Sequence, residues 1–291
     1  MNSLYLIDGH ALIFRMYYAF LRRPMVNTKG EDTSILFGFT KYLLELIERE
    51  HPTHLAVMFD PPGGTFRHEQ YPEYKATRTA TPELVKAALE PLSEIVDALD
   101  IPVLMKPGFE ADDVIGTVAR RFAGADCDVF MVTPDKDLGQ LTGNHIFQYR
   151  PGKGGGENEI LSGDDICRHY GIDDPRQVID ILAIWGDAAD NVKGVDGIGE
   201  VGARKLVAKY GSVEGIEAHL DELPARQQAA FREALPHLAL SKWLVTVKDD
   251  VDIDVTEEQL RIGTPDAARV TALFDHYEFN SLRRLVPQLP T

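Results

Sequence analysis

Short apolar runs alternate with helix-like segments over the first 150 residues. The runs that predict strands are residues 3–8, 54–60, 101–105, 128–133 and 145–150. Between them, apolar residues recur at helical spacing, and these segments are residues 33–49, 82–99 and 110–123. Strands that alternate with helices form parallel βαβ units. We therefore predict an α/β fold with a central, mostly parallel sheet flanked by helices.

The strand pattern stops near residue 174, and helical periodicity takes over. The predicted helices lie at 175–185, at 201–210, in the stretch that runs through Trp243, and in 265–286. The acidic stretch 249–258 suits a solvated loop or an edge strand. We expect an α/β core of residues 1–174 and a helical subdomain of residues 175–291, whose C-terminal segment can pack back on the core.

Composition narrows the class of protein. No apolar run approaches the roughly 18 residues that span a membrane, and Asp8 and Arg15 interrupt the N-terminal run, unlike a signal peptide. Cys127 and Cys167 form no metal or redox motif, so we expect reduced thiols in a cytoplasmic protein with no membrane partner. The glycine run at 152–156 lacks the ending of a phosphate-binding loop, so we interpret it as a flexible turn.

The formal net charge of −16 argues, taken alone, against a nucleic-acid partner, because phosphates would be repelled. The distribution of charge changes this conclusion. Acids that converge on metal ions are neutralised there, and the lysines and arginines cluster in a few segments. A local site for nucleic acid therefore remains compatible with an acidic chain.

Acidic side chains lie at or just beyond the carboxyl ends of the predicted strands. They are Asp8, Asp60, Glu110, Asp112, Asp113, Asp135 and Asp137. Each alone suits an ordinary solvated loop, and the three within 110–113 also suit the first turn of a helix. In an open parallel sheet, however, binding sites form beyond the carboxyl ends of the strands. We therefore expect these acids to meet in one cleft.

Carboxylate oxygens are the ligands that Mg²⁺ and Mn²⁺ prefer in proteins. Two such ions about 4 Å apart can clamp the attacking and leaving oxygens of a phosphodiester. Asp187 and Asp190 add two acids at a spacing that shares one helical face, although a helix-capping pair is the alternative. The acids thus predict a site for two divalent ions that acts on phosphodiesters.

A glycine-rich hairpin at 194–199 lies between two predicted helices. Gly194, Gly197 and Gly199 permit a tight turn that presents backbone N–H groups to an anion. Cations that could reach neighbouring phosphates follow on the next helix at Arg204, Lys205 and Lys209. The pattern resembles a helix-hairpin-helix, which holds the duplex backbone without reading sequence. A plain helix–helix turn is the alternative.

Cationic and aromatic side chains interleave in residues 66–78. The candidates for contact with phosphate or base are Arg67, Tyr74, Lys75 and Arg78. Stacking aromatics combined with cations suit a single strand or a frayed end, although a solvated surface helix has a similar composition. Arg15, seven residues after Asp8, is a further candidate phosphate ligand, and a surface ion pair is its alternative.

Together these motifs resemble the 5′-nuclease (flap endonuclease) family, and within it the 5′→3′ exonuclease domain of bacterial DNA polymerase I. The matching segments are LIDGHALIFR at 6–15, FDPPGGTFRHEQYPEYKATR at 59–78, GFEADDVIGT at 108–117, TPDKDLGQL at 133–141 and GDAADNVKGVDGIGEVGARKL at 186–206. The resemblance implies a PIN/5′-nuclease-like core with a helical arch at about 67–85. It also implies a helix-hairpin-helix (H3TH) DNA-binding subdomain with its hairpin at 186–210.

The resemblance also implies how the site residues divide. Acids that match one metal position are Asp8, Asp60, Glu110 and Asp112. Acids that match a second position, some acting through water, are Asp113, Asp135, Asp137, Asp187 and Asp190. Basic residues that match catalytic or phosphate contacts are Lys75, Arg78, Arg15 and Arg67, with Tyr74 stacking nearby. Residues that match the duplex clamp, often built around a bound K⁺, are Gly194, Gly197, Gly199, Arg204 and Lys205.

The implied activity is a structure-specific 5′→3′ exonuclease or flap endonuclease that hydrolyses DNA with two Mg²⁺ or Mn²⁺ ions. Its expected substrates are 5′ flaps, nicks, duplex ends and RNA primers on DNA. We expect a monomer, linked to or cooperating with a DNA polymerase. A PIN-type ribonuclease is one alternative, which needs neither hairpin nor arch. A non-catalytic DNA junction binder is another, and the complete set of acids argues against it.

Overall fold

The structure, a computed structural model, describes residues 1–152 and 156–286, so most of the predicted glycine turn lies outside the described residues. Within them, one sheet contains β1 (Asn2–Asp8), β2 (His54–Met58), β3 (Val103–Leu104), β4 (Cys127–Val132), β5 (Ile146–Arg150) and β6 (Glu159–Leu161). The strand order is β3-β2-β1-β4-β5-β6. Strands β1 to β5 run parallel, and β6 pairs antiparallel with β5. The predicted α/β class with a mostly parallel sheet is confirmed.

Helices cover both faces of this sheet. The helices of this part of the chain are α1 (Gly9–Phe20), α2 (Ser34–Glu50), α3 (Phe66–Gln70), α4 (Glu83–Ala98), α5 (Ala111–Phe122) and α6 (Gly163–Tyr170). Successive strand residues point to opposite faces. Tyr5 and Ile7 of β1 therefore pack in one cluster with α1, α2 and α4, whereas Leu4 and Leu6 pack with α5. The central strands are buried on both faces, as parallel strands usually are.

A helical unit follows, with an apolar core of its own. Its helices are α7 (Val178–Trp185), α8 (Glu200–Tyr210), α9 (Val213–Glu217) and α10 (Ala225–Val245). Ile181, Val207 and Phe231 are fully buried in this second core. Short 3₁₀ helices, two of them in the α/β core, lie at Lys136–Leu141, Pro175–Gln177, Leu220–Glu222 and Asn280–Leu285. No helix in the described residues is both long and apolar enough to cross a membrane.

The chain returns to the α/β core after α10. Val247 and Val255 pack in the cluster that contains α5. Two further helices, α11 (Glu257–Leu260) and α12 (Ala267–Tyr277), complete the chain, and Phe274 of α12 joins the cluster of α2 and α4. The two units of the chain are therefore a core with contributions from both ends of the sequence and a helical unit between them.

The structure differs from the sequence expectation in several elements. Sequence reasoning missed α1 and β6, and the third predicted strand pairs only over Val103–Leu104. The predicted helical arch at about 67–85 is helical only through Gln70 and again from Glu83. Turns fill the interval, where Pro72 and Pro82 lack the N–H groups that a continuous helix needs.

Candidate functional site

A cleft of about 870 Å³ opens at the carboxyl ends of β1, β2 and β4. The acids that line it are Asp8, Asp60, Glu110, Asp112, Asp135, Asp137 and Asp190. Because β1 lies between β2 and β4, the ends of these three strands stand side by side. The sheet thus brings together most of the predicted metal ligands, while Asp113 and Asp187 lie outside the cleft lining.

Backbone groups at helix starts fix the orientation of two of these acids. Asp8 caps α1, where its Oδ1 accepts the N–H of Ala11 at 3.0 Å, and its Oδ2 accepts the hydroxyl of Thr133 at 2.9 Å. Asp60 Oδ1 accepts the N–H of Ala111, at the start of α5, at 2.7 Å. Since a carboxylate offers about four acceptor positions, each acid retains capacity for another ligand.

The buried acids raise one another's pKa. Burial, with contributions from Asp60 and Asp135, raises the pKa of Asp8 to about 7. Burial and Asp135 raise the pKa of Asp137 to about 8. Burial raises the pKa of Asp112 well above its usual value, and Asp8 and Asp135 add to the shift. A positive ion among these groups would favour their charged forms.

Arg67 is only 3% exposed, and contacts within the protein use all of its roughly five N–H donors. Its two Nη atoms each bind Asp113 at 2.8 Å, and Nη1 also binds Glu110 at 2.6 Å. Its remaining donors go to the carbonyls of Leu244 at 3.0 Å and Thr246 at 2.8 Å. A phosphate contact by Arg67 would require one of these bonds to open, and that contact stays a prediction.

Asp113 is occupied in the same network. It is completely buried, and its Oδ1 accepts Arg67 and the backbone N–H of Lys248 at 2.8 Å. Its Oδ2 accepts Arg67 and the backbone N–H of Glu110 at 3.1 Å. Each acceptor position of Asp113 is thus filled in this arrangement, and its role as a metal ligand stays a prediction. Asp113 holds Arg67 and the chain near 248 against the start of α5.

Residues 71–82 form one wall of the cleft and bring cations to its acids. Lys75 forms an ion pair with Glu110, and Arg78 forms one with Asp190. The hydroxyl of Tyr74 lies 3.1 Å from Glu110 Oε2 and 3.2 Å from Asp190 Oδ2. Tyr74 lines the cleft but is only 5% exposed, and its stacking on a base stays a prediction.

Hydrogen bonds attach this wall to the loop at 187–192 of the helical unit. The N–H of Lys75 donates to the carbonyl of Asp190 at 2.9 Å. The side-chain amide of Asn191 donates to the carbonyl of Glu73 at 2.8 Å, and the hydroxyl of Thr77 donates to a carbonyl in the same loop at 3.2 Å. The two units of the chain therefore meet at the cleft.

Lys136 stands between two acids at the other side of the cleft. Its Nζ lies 3.2 Å from Asp187 Oδ2 and 3.4 Å from Asp137 Oδ1. That Asp137 oxygen is buried and has no hydrogen-bond partner in the part of the chain that the structure describes. Asp187 Oδ1 accepts the N–H of Ala189 at 2.9 Å. Asp187, although outside the lining, is thus linked to the cleft acids through one lysine.

The donor set suits hard divalent cations, because it consists of carboxylate oxygens. It includes a buried oxygen of Asp137 that accepts no hydrogen bond within the described residues and lies 3.4 Å from Lys136 Nζ. As placed, no three His, Cys, Asp or Glu side chains in 1–152 and 156–286 are arranged to enclose a cation. Lys75, Arg78 and Lys136 lie against the acids instead. Entry of divalent ions therefore requires these basic groups to turn away.

The hairpin at 194–199 depends on its glycines. The N–H of Val195 donates to the carbonyl of Ile184 at 2.7 Å, and a Cβ on Gly194 would lie 2.5 Å from that carbonyl oxygen. Gly197 has a φ of +72°, which side chains rarely adopt. Gly199 then precedes α8 as its N-cap residue. The predicted tight turn between two helices is present, with backbone packed closely against backbone.

The predicted cations of the hairpin lie in two environments. Arg204 Nη1 is 3.5 Å from Glu200, and its guanidinium lies 5.3 Å from the centre of the Tyr170 ring. Lys205 is exposed and forms no ion pair within the described residues. Lys209 lies 3.9 Å from Glu222. Lys205 is thus the predicted cation most open to an incoming phosphate.

Two further residues qualify the sequence expectation. Arg15 lies outside the cleft lining and donates to the carbonyls of Pro151 and Gly152, so its phosphate contact stays a prediction. Sequence reasoning missed His10, which lines the cleft and accepts the N–H of Asp60 at 3.0 Å. Burial lowers the pKa of His10, so it is neutral near pH 7. Its only sequence signal is its place two residues after Asp8.

Family models match nearly the whole chain. Residues 3–171 match the 5′-3′ exonuclease, N-terminal resolvase-like domain, and residues 173–268 match the 5′-3′ exonuclease, C-terminal SAM fold. A protein described as 5′-3′ exonuclease from Aquifex aeolicus is 34% identical over 289 residues, which cover 99% of this chain and 96% of that protein. DNA polymerase I of Chloroflexus aurantiacus is 36% identical over 290 residues, which cover 99% of this chain but 31% of the polymerase. The chain therefore spans about a third of the length of its polymerase relatives.

Solved structures share the fold at lower identity. T5 5′-exonuclease with bound divalent metal ions (zinc) superposes with a TM-score of 0.68 at 21% identity, covering 94% of this chain and 99% of that one. The catalytic core of Rad2 in complex with DNA substrate gives a TM-score of 0.64 at 15% identity, covering 98% of this chain and 93% of that one. These likenesses confirm the predicted fold, sheet and helical unit together.

Proposed function

Because this chain belongs to the 5′-3′ exonuclease family, we propose that it is a structure-specific 5′→3′ exonuclease and flap endonuclease. The observation that carries the proposal is the meeting of the strand-end acids with Lys75 and Arg78 in one cleft. Acids alone would suit many metal sites. Acids beside cations suit a reaction at a phosphodiester, which carries negative charge and gains more in its transition state.

We assign the divalent ions to the cleft acids. Asp8, Asp60, Glu110 and Asp112 would hold one Mg²⁺ or Mn²⁺, and Asp135, Asp137, Asp187 and Asp190 would hold a second. The raised pKa values of Asp8 and Asp137 support this assignment, because buried like charges need a counter-ion to ionise together. When bound, such ions supply an activated water and stabilise the leaving oxygen.

Lys75 and Arg78 have two partners in this proposal. At rest they neutralise Glu110 and Asp190. When substrate enters, they turn to the scissile phosphate and stabilise its charge, since an ammonium or guanidinium binds phosphate oxygens as well as carboxylates. The products would carry a 5′-phosphate and a 3′-hydroxyl. Arg15 is a further phosphate contact in this proposal, provided that it leaves the carbonyls near 151.

Duplex DNA would lie on the hairpin at 194–199, with a K⁺ held by its backbone carbonyls. The substrates proposed are DNA 5′ flaps, nicks and duplex ends, and RNA primers on DNA. We propose that the protein acts as a monomer in the cytoplasm, beside or joined to a DNA polymerase. Two free cysteines support a reducing compartment, and the polymerase relatives support the partner.

The test compares matched oligonucleotides: a 5′-flap duplex, a nicked duplex and a single-stranded RNA of equal length. We expect cleavage of flap and nick in Mg²⁺ or Mn²⁺, none in EDTA, and little cleavage of the RNA. A preference for single-stranded RNA would instead establish a PIN-type ribonuclease. Tight binding of the flap without cleavage in Mn²⁺ would establish a non-catalytic junction binder.

A further inference from the structure

We infer that Arg226, at the start of α10, is a phosphate contact of the duplex-binding surface, so that a third helix contributes to the clamp. The inference rests on the proposed function and extends it to an element that the hairpin pattern does not include. Sequence reasoning selected only the hairpin and the helix after it. Arg226 lies 29 residues beyond Gly197, with no glycine motif around it.

The position of the Arg226 guanidinium carries the argument. A Cβ built on Gly197 would lie 3.7 Å from Arg226 Nη2, so the guanidinium stands in van der Waals reach of the hairpin tip. Gly197 has a φ of +72° and an exposed backbone. A phosphate that approaches the N–H groups of this turn would therefore meet the guanidinium at the same place.

The charge of Arg226 is also uncommitted. It is exposed, and within residues 1–152 and 156–286 it forms no ion pair or hydrogen bond. Most cations of this acidic chain lie against carboxylates, as Arg204 lies against Glu200 and Lys209 against Glu222. An unpaired arginine beside the hairpin tip places positive charge where a duplex backbone would pass.

Helix α10 is also fixed to the hairpin along its length. His237 Nε2 lies 3.1 Å from the carbonyl oxygen of Gly194, and the hydroxyl of Ser241 donates to the carbonyl of Lys193 at 2.6 Å. One helix thus braces the base of the hairpin with its later turns and brings Arg226 to the tip with its first turn. The backbone of α10 is therefore held against the hairpin, and the side chain of Arg226 extends from it toward the turn.

The experiment measures binding of a fluorescent 5′-flap duplex by anisotropy in EDTA, which prevents cleavage, over a series of KCl concentrations. Arg226→Gln should raise Kd about 5- to 10-fold and reduce the slope of log Kd against log salt by about 1, as expected for one lost phosphate contact. Lys205→Gln should act similarly. The matched control is Arg232→Gln, which removes an exposed arginine of the same helix that hydrogen-bonds Gln228 and forms no ion pair within the described residues.

The outcomes separate this inference from the proposed function. An Arg226→Gln protein with unchanged Kd and slope, while wild type binds the flap tightly, would overturn the role of Arg226 alone. An equally large loss of affinity in Arg232→Gln would also overturn it, since any cation of α10 would then contribute as much to flap binding. Absence of binding by wild type would overturn both the inference and the nuclease proposal. Equal melting temperatures of the variants show that the fold is intact.

Discussion

The acidic cleft and the glycine hairpin differ in what their cations contact. In the cleft, Lys75, Arg78 and Lys136 each lie against a carboxylate. At the hairpin, Lys205 and Arg226 have no acidic partner in the described residues. A cation that already pairs with a carboxylate gains little free energy by binding a phosphate, unless another positive charge takes over that carboxylate. An unpaired cation gains the full free energy of the phosphate contact. In the proposed function, the cations of the hairpin can therefore bind DNA directly, whereas those of the cleft cannot until its acids are neutralised.

In the proposed function, this difference assigns duplex binding to the hairpin and phosphodiester cleavage to the cleft. Burial alone would favour the neutral form of Glu110. Lys75 and Arg67 nevertheless hold the pKa of Glu110 below its usual value. The positive charges of Lys75 and Arg67 thus offset part of the negative charge of the cleft, which helps the protein to fold with a dense acidic cluster. Variants that disturb the cleft should therefore change turnover or stability, and variants of the hairpin should change duplex affinity. The predictions below test that division, from the largest effect to the smallest.

Removing two cleft acids should abolish cleavage without affecting docking. Asp112→Ala combined with Asp135→Ala should lower the rate of flap cleavage by on the order of 10³-fold or more, because several kcal/mol of charge stabilisation is lost. Flap binding in EDTA should remain within about 2-fold of wild type. Intact cleavage in the double variant would contradict the metal assignment, and a lost duplex affinity would contradict the division.

Arg67→Ala should destabilise the protein by about 3–5 kcal/mol, because it leaves Glu110 and Asp113 buried without a counter-charge. The measurement is urea unfolding followed by circular dichroism. The matched control is Arg78→Ala. Because the side chain of Arg78 is exposed, loss of its ion pair with Asp190 should lower the free energy of unfolding by under about 1 kcal/mol. Equal losses in the two variants would show that burial of Arg67 has no special role.

Lys75→Ala and Lys205→Ala remove one lysine from each region. Lys75→Ala should lower kcat by about 100-fold, because its ammonium stabilises charge that develops in the transition state, and should leave the Kd for flap DNA nearly unchanged. Lys205→Ala should raise Kd severalfold at unchanged kcat. Single-turnover cleavage and anisotropy measure the two quantities. The reverse pattern would show that the paired and unpaired lysines have been assigned to the wrong steps.

The cleft should make stability depend on pH when metal is absent. The folded pKa values of Asp8, about 7, and Asp137, about 8, lie above the ordinary value of 3.8, so between these limits the folded state binds more protons than the unfolded state. The free energy of unfolding in EDTA should therefore fall as the pH rises from about 5 to about 8.

Two controls accompany this pH series. Asp137→Asn should flatten the fall, because it removes the group with the highest of the two pKa values. Saturating Mg²⁺ should also flatten it, since a bound cation favours the charged carboxylates. Thermal or urea unfolding at each pH gives the values. Stability that rises across the same range would contradict the crowding of acids in the cleft.

His237→Gln should have the smallest effect. Because His237 positions the hairpin through the carbonyl of Gly194, its loss should raise Kd for the duplex about 3-fold. The salt slope should stay unchanged, since no phosphate contact is removed. That pattern distinguishes a bracing residue from a contact such as Arg226. A reduced slope would indicate that His237 itself faces the DNA.

Much of the cleft could be predicted because strand ends have a sequence signature. An apolar run followed by an acid identifies both the strand and the place of its carboxyl end, as at Asp8 and Asp60. The parallel order of β2, β1 and β4 then brings these ends together. The glycine spacing likewise identified the hairpin, because a φ of +72° at Gly197 needs that residue.

The surroundings of Asp113, Arg67 and Arg226 depend on contacts that no local sequence pattern contains. Asp112 and Asp113 are neighbours on α5 and look alike in sequence, yet Asp112 faces the cleft and Asp113 faces Arg67. The guanidinium of Arg67 donates hydrogen bonds to the carbonyls of Leu244 and Thr246, which lie about 180 residues away in the sequence. Arg226 was missed for the same reason, since its approach to Gly197 is visible only in three dimensions.

The return of the chain to the sheet after α10 has a mechanical consequence. The helical unit is attached to the α/β core at both of its ends, near residue 174 and again where Val247 packs with α5. A unit with two anchors can pivot but cannot swing freely as it would on a single tether. Two anchors limit how far the hairpin can move from the cleft. In the proposed function, the place where the duplex binds would then set how far along the strand cleavage falls.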